Sequence, residues 1–519
     1  MSLYRNVLSV GGLTMVSRVF GFVRDALLAA VLGAGPAADA FYAAFRFPNL
    51  FRRLFAEGAF NTAFVPMFSG ALEQHGREHA LDLASRIIAW LLLVLVALTV
   101  LAEIFMPAVL VPFVPGFLDD TEKFELTVLL ARIMFPYLAC MSLVAAYAGI
   151  LNSLNRFIAA ALAPVLLNVL TIAVLVPLLL LAVEEPDAVI WVAVATVAAG
   201  VAQLAMVWWA VRRAAFLPRL RLPRLDREVQ RFWMLALPAV LTGGITQINI
   251  FVGTIIASSA ASAISYLYYA DRLYQLPLGI IGIAIGTVLL PTLSAHLKGG
   301  RALEARTAQS QSLLISMLLS MPAATALIAL AVPIVRVLFE RGQFGPEATV
   351  ATAGALVAFA IGLPAFVLIR VLQPGFFARQ DTVTPTVFAG ISMVVNVTLS
   401  LLLFPVLQHV GIALATTTAA WGNALMLAGW LARRGHFRPE RPELGRLALI
   451  VLISFAMALL LLGLYWPIAW LFVPNGPILL QALALAGLCA AGFAAYFTAI
   501  HLCGVQPLGL LFRRLRRSR

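Results

Sequence analysis

The side chains with chemistry to offer crowd into one stretch near the start of the chain, SRVFGFVRDALLAAVLGAGPAADAFYAAFRFPNLFRRLFAEGAF, from Ser17 to Phe60. In otherwise apolar surroundings it carries Arg18, Arg24, Asp25, Asp39, Arg46, Arg52, Arg53 and Glu57. Five of these are cations and three are anions, so full pairing leaves two positive charges over. A charge at the centre of a bilayer costs about 2.5–3.5 kcal/mol even on a lenient insertion scale. These groups must therefore face water, one another or a ligand. Surplus arginine suits an anion, phosphate above all, because the planar guanidinium donates two parallel hydrogen bonds.

Helical spacing sorts the set. Residues three, four and seven apart share a face, which groups Arg18 with Asp25, Asp39 with Arg46, Asn49 and Arg53, and Arg53 with Glu57. Arg24 is offset from Asp25 by one position, and Arg52 points about 100° away from Arg53. A smaller polar set follows in the second half. SYLYYADRLYQLP supplies Ser265, Asp271, Arg272 and Gln275, and a later span holds Arg370 with Arg379 at its end. Arg336, Glu340 and Arg341 read as side chains reaching for the membrane surface. Asp25, Asp39 and Asp271 serve in this reading as counter-charges that hold arginines in place.

The elements that position these groups are membrane helices. Of the 519 residues 62% are hydrophobic and only 11% charged, against about 25% charged in a soluble protein. The mean hydropathy is +0.98. Apolar runs reach helix length, about 20 residues, rather than the short alternating segments of a barrel. The first run is broken by Arg18 and followed by no cleavage pattern, so it reads as retained. Candidate spans begin near residues 8, 37, 84, 126, 158, 188, 233, 262, 307, 348, 384, 410, 445 and 476, about fourteen in all.

Linkers after even-numbered spans all carry Lys or Arg, among them EQHGREHALDLASR and ARRGHFRPERPELGR. Linkers after odd-numbered spans, such as VPGFLDDTEK and VEEPD, are basic-poor or acidic. The alternation places both termini in the cytoplasm and accounts for the net charge of +13 without nucleic acid. Across the long basic linker the halves look alike, VSRVFGFVRDALLAA against ITQINIFVGTIIASS. The organisation expected is a first lobe over 1–215, a linker over 216–232, a second lobe over 233–435, and two further spans with a basic tail over 436–519. Two matching six-span lobes rocking about a central cavity is a transporter plan.

Other chemistries find less support. Cys140, Cys489 and Cys503 lack metal or redox spacing. His75 and His79 are four apart but have no convincing further ligand, so neither a metal nor a catalytic residue is expected. No nucleophile–base pairing or phosphate-cradling glycine loop occurs, which argues against an enzyme acting on polyprenyl phosphates. An exporter of cationic drugs would need surplus carboxylate, and a scaffold would leave the intramembrane charges unexplained.

The Ser17–Phe60 stretch and its continuation to Pro66, with YYADRLYQLPLGIIGIAIGTVLLP and QPGFFARQDTVTP, resembles the MurJ/MviN family, collinearly over essentially the whole chain. The resemblance implies an all-α polytopic protein of the multidrug/oligosaccharidyl-lipid/polysaccharide exporter fold in the bacterial cytoplasmic membrane. It implies lipid II, the undecaprenyl-pyrophosphate-linked peptidoglycan precursor, as the substrate moved from inner to outer leaflet. A flippase for another polyprenyl-pyrophosphate glycolipid is the alternative. Family cavity arginines fall on Arg18, Arg24, Arg52 and Arg272, with Asp25, Asp39, Asn49 and Ser265 as polar support; Arg46, Arg53, Glu57 and Asp271 complete the charge set. The two extra helices would frame a groove for the prenyl tail. Partners implied are lipid II, membrane lipids and the cell-wall synthesis machinery. No cofactor is implied. Some relatives use carboxylates in the second lobe for sodium, whereas this chain offers Thr246, Gln247, Asn249, Asn396 and Thr398, which argues against such a site.

Overall fold

A computed structural model describes residues 3–51, 60–219, 221–437, 441–474 and 476–505. Their regular structure is entirely helical. The chain runs through α1 (Leu3–Leu32), α2 (Pro36–Phe51), α3 (Phe60–Leu110), α4 (Thr121–Met134), α5 (Tyr137–Ser153), α6 (Ile158–Leu180), α7 (Glu185–Arg213) and α8 (Arg227–Ala257). It continues through α9 (Ala263–Lys298), α10 (Ala302–Ala329), α11 (Ala331–Phe339), α12 (Pro346–Phe377), α13 (Val383–Arg433), α14 (Arg441–Tyr465) and α15 (Ile478–Leu502). Among the described residues, nine helical segments are long and apolar enough to cross a membrane. Large side chains such as Val19, Leu180, Leu452 and Phe493 stand exposed on helix surfaces. In water such surfaces would be a liability; in a bilayer they are the outer wall.

Local chemistry sets the boundaries. Asp120 caps α4 by accepting from the Lys123 N–H at 3.0 Å, and Asp226 caps α8 through the Val229 N–H at 2.9 Å. Both satisfy an N–H that has no partner within its helix. Pro136 separates α4 from α5 inside one expected span. The linker expected over residues 73–86 is helical instead. Its bend is confined to Gly76, at φ 80° and ψ −176°, a backbone shape that glycine adopts without strain. A polar surface helix and a polar loop have the same composition, which is why sequence did not separate them. The FPVLQHVG turn is a break within α13 at Gln408 (φ 47°). Beyond it the chain returns so closely that a Cβ on Gly411 would lie 2.8 Å from the Leu403 backbone.

Contacts divide the chain into two compact units. Unit 1 comprises Met1–Ser265 with Gly342–Phe344; unit 2 comprises Tyr266–Arg341 with Gly345–Arg519. In unit 1, α1 packs on α6, α6 and α5 on α7, α2 on α4, and α3 on α5 and α8. Small residues allow close approach: a Cβ on Gly200 would sit 2.6 Å from the Tyr137 ring. In unit 2, α12 packs on α10 and α13, and α14 and α15 pack together and onto α10. Leu314, Leu318, Val371, Phe376, Leu427 and Tyr496 belong to that core. The Tyr496 hydroxyl, deep in apolar surroundings, donates to Leu318 O at 2.9 Å.

Candidate functional site

Unit 1 holds the first part of the polar set. Arg18 lies half-buried on α1 and lines a cavity of about 350 Å³ with Thr14, Ser17, Asn152, Phe157 and Pro164. Nearly two turns further along α1, Arg24 reaches its sequence neighbour Asp25. Its Nη2 and Nε lie 2.7 and 3.1 Å from Asp25 Oδ1. Asp25 thus acts as a counter-charge, and the arginine it holds is its neighbour Arg24, whose long stem folds back across the one-position offset. Arg24 Nη1 also donates to Asn168 Oδ1 at 2.9 Å, and Asn168 Nδ2 donates to Ser17 O at 2.9 Å. Asn168 stands on α6, so this amide ties α6 to α1 and holds the guanidinium. Gly21 makes the approach feasible, since a Cβ there would already be 3.4 Å from Asn168 Nδ2.

On α2, Arg46 donates to the Thr254 hydroxyl of α8. Asn49 is half-buried. Asp39 is wholly buried, and its counter-charge is a lysine rather than an arginine: Lys123 Nζ lies 2.9 Å from Asp39 Oδ2. Ser265 donates to Asp39 Oδ1 through both its N–H (2.9 Å) and its hydroxyl (2.6 Å). Arg52, Arg53 and Glu57 lie outside the described residues. Of the charged set on α1 and α2, the structure describes Arg18, Arg24 and Arg46 with Asp25 and Asp39, and adds Lys123 from α4.

Unit 2 holds the rest. Arg272 Nη2 donates to the Tyr268 hydroxyl at 3.0 Å, and the guanidinium carbon sits 4.7 Å from that ring's centroid. One turn on, the Gln275 amide donates to Asp271. The stem of Arg370 crosses Gly282, where a Cβ would lie 2.6 Å from Arg370 Cδ. Arg336 and Glu340 correct the expectation of surface-seeking side chains: they form a largely covered ion pair at 2.9 Å, and Arg336 Nη1 donates to Phe472 O at 2.5 Å. Asn396 is buried and accepts from Ser400 and Thr416 at 3.5 and 3.3 Å.

The segments over 214–219 and 221–226 are laid along α3. The Arg219 N–H donates to Ser85 Oγ at 3.0 Å, and Trp90 Nε1 to Arg224 O at 3.0 Å. Arg86 binds Asp226 and lies 2.7 Å from Glu228 and 3.1 Å from Asp82. His79, which pairs with Glu228 at 3.1 Å, belongs to this network. Among the described residues no group of three His, Cys, Asp or Glu could hold a metal. Burial alone would raise the Asp226 carboxyl, but the Val229 N–H and the Arg86 guanidinium outweigh it and hold the group below its ordinary range. Asp381, in the turn before α13, is likewise held low, chiefly by the Thr384 N–H.

Sequence reasoning missed Lys123, Asn168 and Thr254. Lys123 falls in a stretch that reads as a linker, although Asp120 three residues before it is a helix-start signal. Asn168 and Thr254 carry no local signal at all.

This is a polytopic, all-helical architecture. A solved multidrug resistance MATE family transporter of the MOP superfamily, in an inward-facing conformation, superposes with TM-score 0.68 at 18% identity, covering 82% of this chain and 98% of that one. A solved structure titled lipid II flippase MurJ, inward closed conformation, superposes with TM-score 0.76 at 24% identity, covering 95% of this chain and 98% of that chain.

Sequence comparison carries the assignment further. The family described as lipid II flippase MurJ matches residues 28–476. A protein of Rhizobium meliloti (strain 1021), named probable lipid II flippase MurJ, is 49% identical over 522 residues, covering 100% of this chain and 97% of that protein. A lipid II flippase MurJ of Burkholderia cenocepacia is 35% identical over 519 residues, covering 98% of each. The chain belongs to the MurJ lipid II flippase family.

Proposed function

We propose that this protein moves lipid II across the cytoplasmic membrane by alternating access, with its termini in the cytoplasm and about fourteen spans in two pseudo-equivalent lobes. Family membership over residues 28–476 is the observation that carries the reading. Arg18, Arg24, Arg52 and Arg272 take the pyrophosphate, with Asn49 as polar support; Ser265, whose two donors are taken by Asp39, is left out of the set. A diphosphate suits guanidinium because each phosphate offers two oxygens to one planar fork. In unit 1, Arg24 is held at rest by Asp25 and Asn168. An entering diphosphate exchanges one anionic partner for another, so Arg24 need never stand bare. The sugar–peptide head stays in the hydrated interior while the prenyl chain stays in lipid. Substrate charge offsets the arginines and permits closure on the inner side. Each elementary charge crossing the field is worth about 2.3 kcal/mol per 100 mV, which biases return of the positive, empty carrier.

The test uses purified protein in vesicles with lipid II on one leaflet and a headgroup-modifying reagent on the other. Transfer without chemical change is expected, with loss on replacing Arg18, Arg24, Arg52 and Arg272 together by alanine. Full transfer by that quadruple variant ends the proposal. Equal transfer of an unrelated undecaprenyl-pyrophosphate sugar replaces lipid II by the broader substrate class.

A further inference from the structure

At the end of unit 1 remote from Asp226, one carboxylate gathers three helices. Asp39 on α2 is wholly buried. Its Oδ1 accepts both donors of Ser265 in the first turn of α9, and so serves a helix end whose N–H groups lack partners and whose dipole favours an anion. Its Oδ2 receives Lys123 Nζ at 2.9 Å from the first turn of α4. Lys123 is only 8% exposed, and its ammonium also lies 4.0 Å from the Phe117 ring centroid. Its backbone is fixed on both sides, the N–H by Asp120 and the carbonyl by the Thr127 hydroxyl at 2.7 Å.

The surroundings leave little slack. The Gly116 N–H donates to Ser258 Oγ at 3.1 Å, and a Cβ on Gly116 would overlap the Ser258 carbonyl. The Gln343 N–H donates to Ala30 O at 2.9 Å, and Gly33, at φ +60°, would carry a Cβ 2.6 Å from Gln343 O. Backbone meets backbone at both of these places. Asp39 is itself fully buried, so it has no ready water to replace a lost lysine. Removing one member of a buried pair strands the other, whereas replacing both can be nearly neutral.

We propose that Lys123 is a positioning residue for transport: its charge keeps Asp39 seated on the first turn of α9, making a charge-balanced latch that is shut in this structure and must part for this end of unit 1 to open. The opening rests on the transport reading above. The latch itself is read without any substrate, so the two fail separately. Its expected signature is not lost fold but lost closure. Without the ammonium, the carboxylate does better in water than on Ser265, and the first turn of α9 follows it out.

The experiment uses the full chain with Cys140, Cys489 and Cys503 replaced by alanine and a first thiol reporter, Ala263→Cys, at a position fully buried beside Ser265. A second reporter, Ala199→Cys, is placed at a fully buried position in α7. A membrane-impermeant thiol reagent is applied and labelling rates are compared. Lys123→Met is expected to raise labelling of the first reporter about tenfold and leave the second protected, while Lys123→Arg stays within about threefold of the parent. Asp39→Asn combined with Lys123→Met should return close to the parent, because asparagine still accepts from Ser265 and needs no counter-charge. Unchanged labelling of the first reporter in Lys123→Met overturns the latch. So does a double variant that labels as fast as the single one. Labelling of both reporters together means that the pair only holds the fold, and overturns it as well.

Discussion

At one end of unit 1, Arg86 meets three carboxylates, Asp82, Asp226 and Glu228, that water also reaches; at the other, Lys123 meets a single carboxylate that water does not. Helix α8 runs between the two ends, its 31 residues rising about 45 Å. Asp226 caps its start, and Ser258 at its finish touches Gly116 beside the Lys123 cluster. The same helix is thus fastened by a shared, solvent-softened network at one end and by an all-or-none pair next to the other. An exposed network loses little with any one member, because its neighbours rearrange and salt screens them. A buried pair has no such reserve.

The largest effect expected from this contrast is on stability. Asp39→Leu alone strands the ammonium and should cost about 3–5 kcal/mol, and Lys123→Met less, because opening of the first turn of α9 returns the carboxylate to water; most of either loss should be recovered when both are replaced, as read by denaturation of purified protein in detergent. Additive losses would place the pair with ordinary surface bridges. Next in size, Asn168→Leu leaves Arg24 one acceptor short and should cost about 1–3 kcal/mol while lowering transport. Wild-type transport in that variant would separate Arg24 geometry from function. Arg86→Met should cost only about 1 kcal/mol, and adding salt to roughly 0.5 M should erase most of the difference from the parent. A salt-independent loss would mean the network behaves as buried.

The smallest effect concerns acid. Asp226 and Asp381 titrate below their ordinary range when folded, so the stability each gives is complete above the unfolded carboxylate range and drains as pH falls through the lower, folded value. Asp226→Asn should flatten the acid limb of a stability–pH curve slightly and leave its neutral region lower by less than about 1 kcal/mol. An unchanged acid limb would remove Asp226 from the carboxylates that matter there.

The sequence showed the membrane fold through runs of apolar residues, and showed its charged stretch through the cost of putting arginine among them. It could not show partners. Lys123 and Asp39 are 84 positions apart and Arg24 and Asn168 are 144 apart, and no periodicity connects them. Spacing gave Asp25 as a counter-charge without saying for which arginine, since face rules describe Cβ directions and an arginine stem extends well beyond that atom; the structure gives it to Arg24. Arg336 and Glu340 failed for a related reason. Their i,i+4 spacing was visible, but the Phe472 carbonyl that Arg336 reaches belongs to a turn far along the chain. The helix through residues 73–86 was hidden because solvent accepts polar residues in helix and loop alike.

The last two helices are held at two separate points. Arg336 grips the turn that joins α14 to α15, and Tyr496 fastens α15 to the interior of α10. A chain stopped before Arg441 would leave a guanidinium facing a carboxylate without its carbonyl partner, together with a strip of leucines shaped to receive α14. That terminal hairpin is therefore a fitted wall of unit 2, and swapping it between relatives would require carrying its two anchoring partners along.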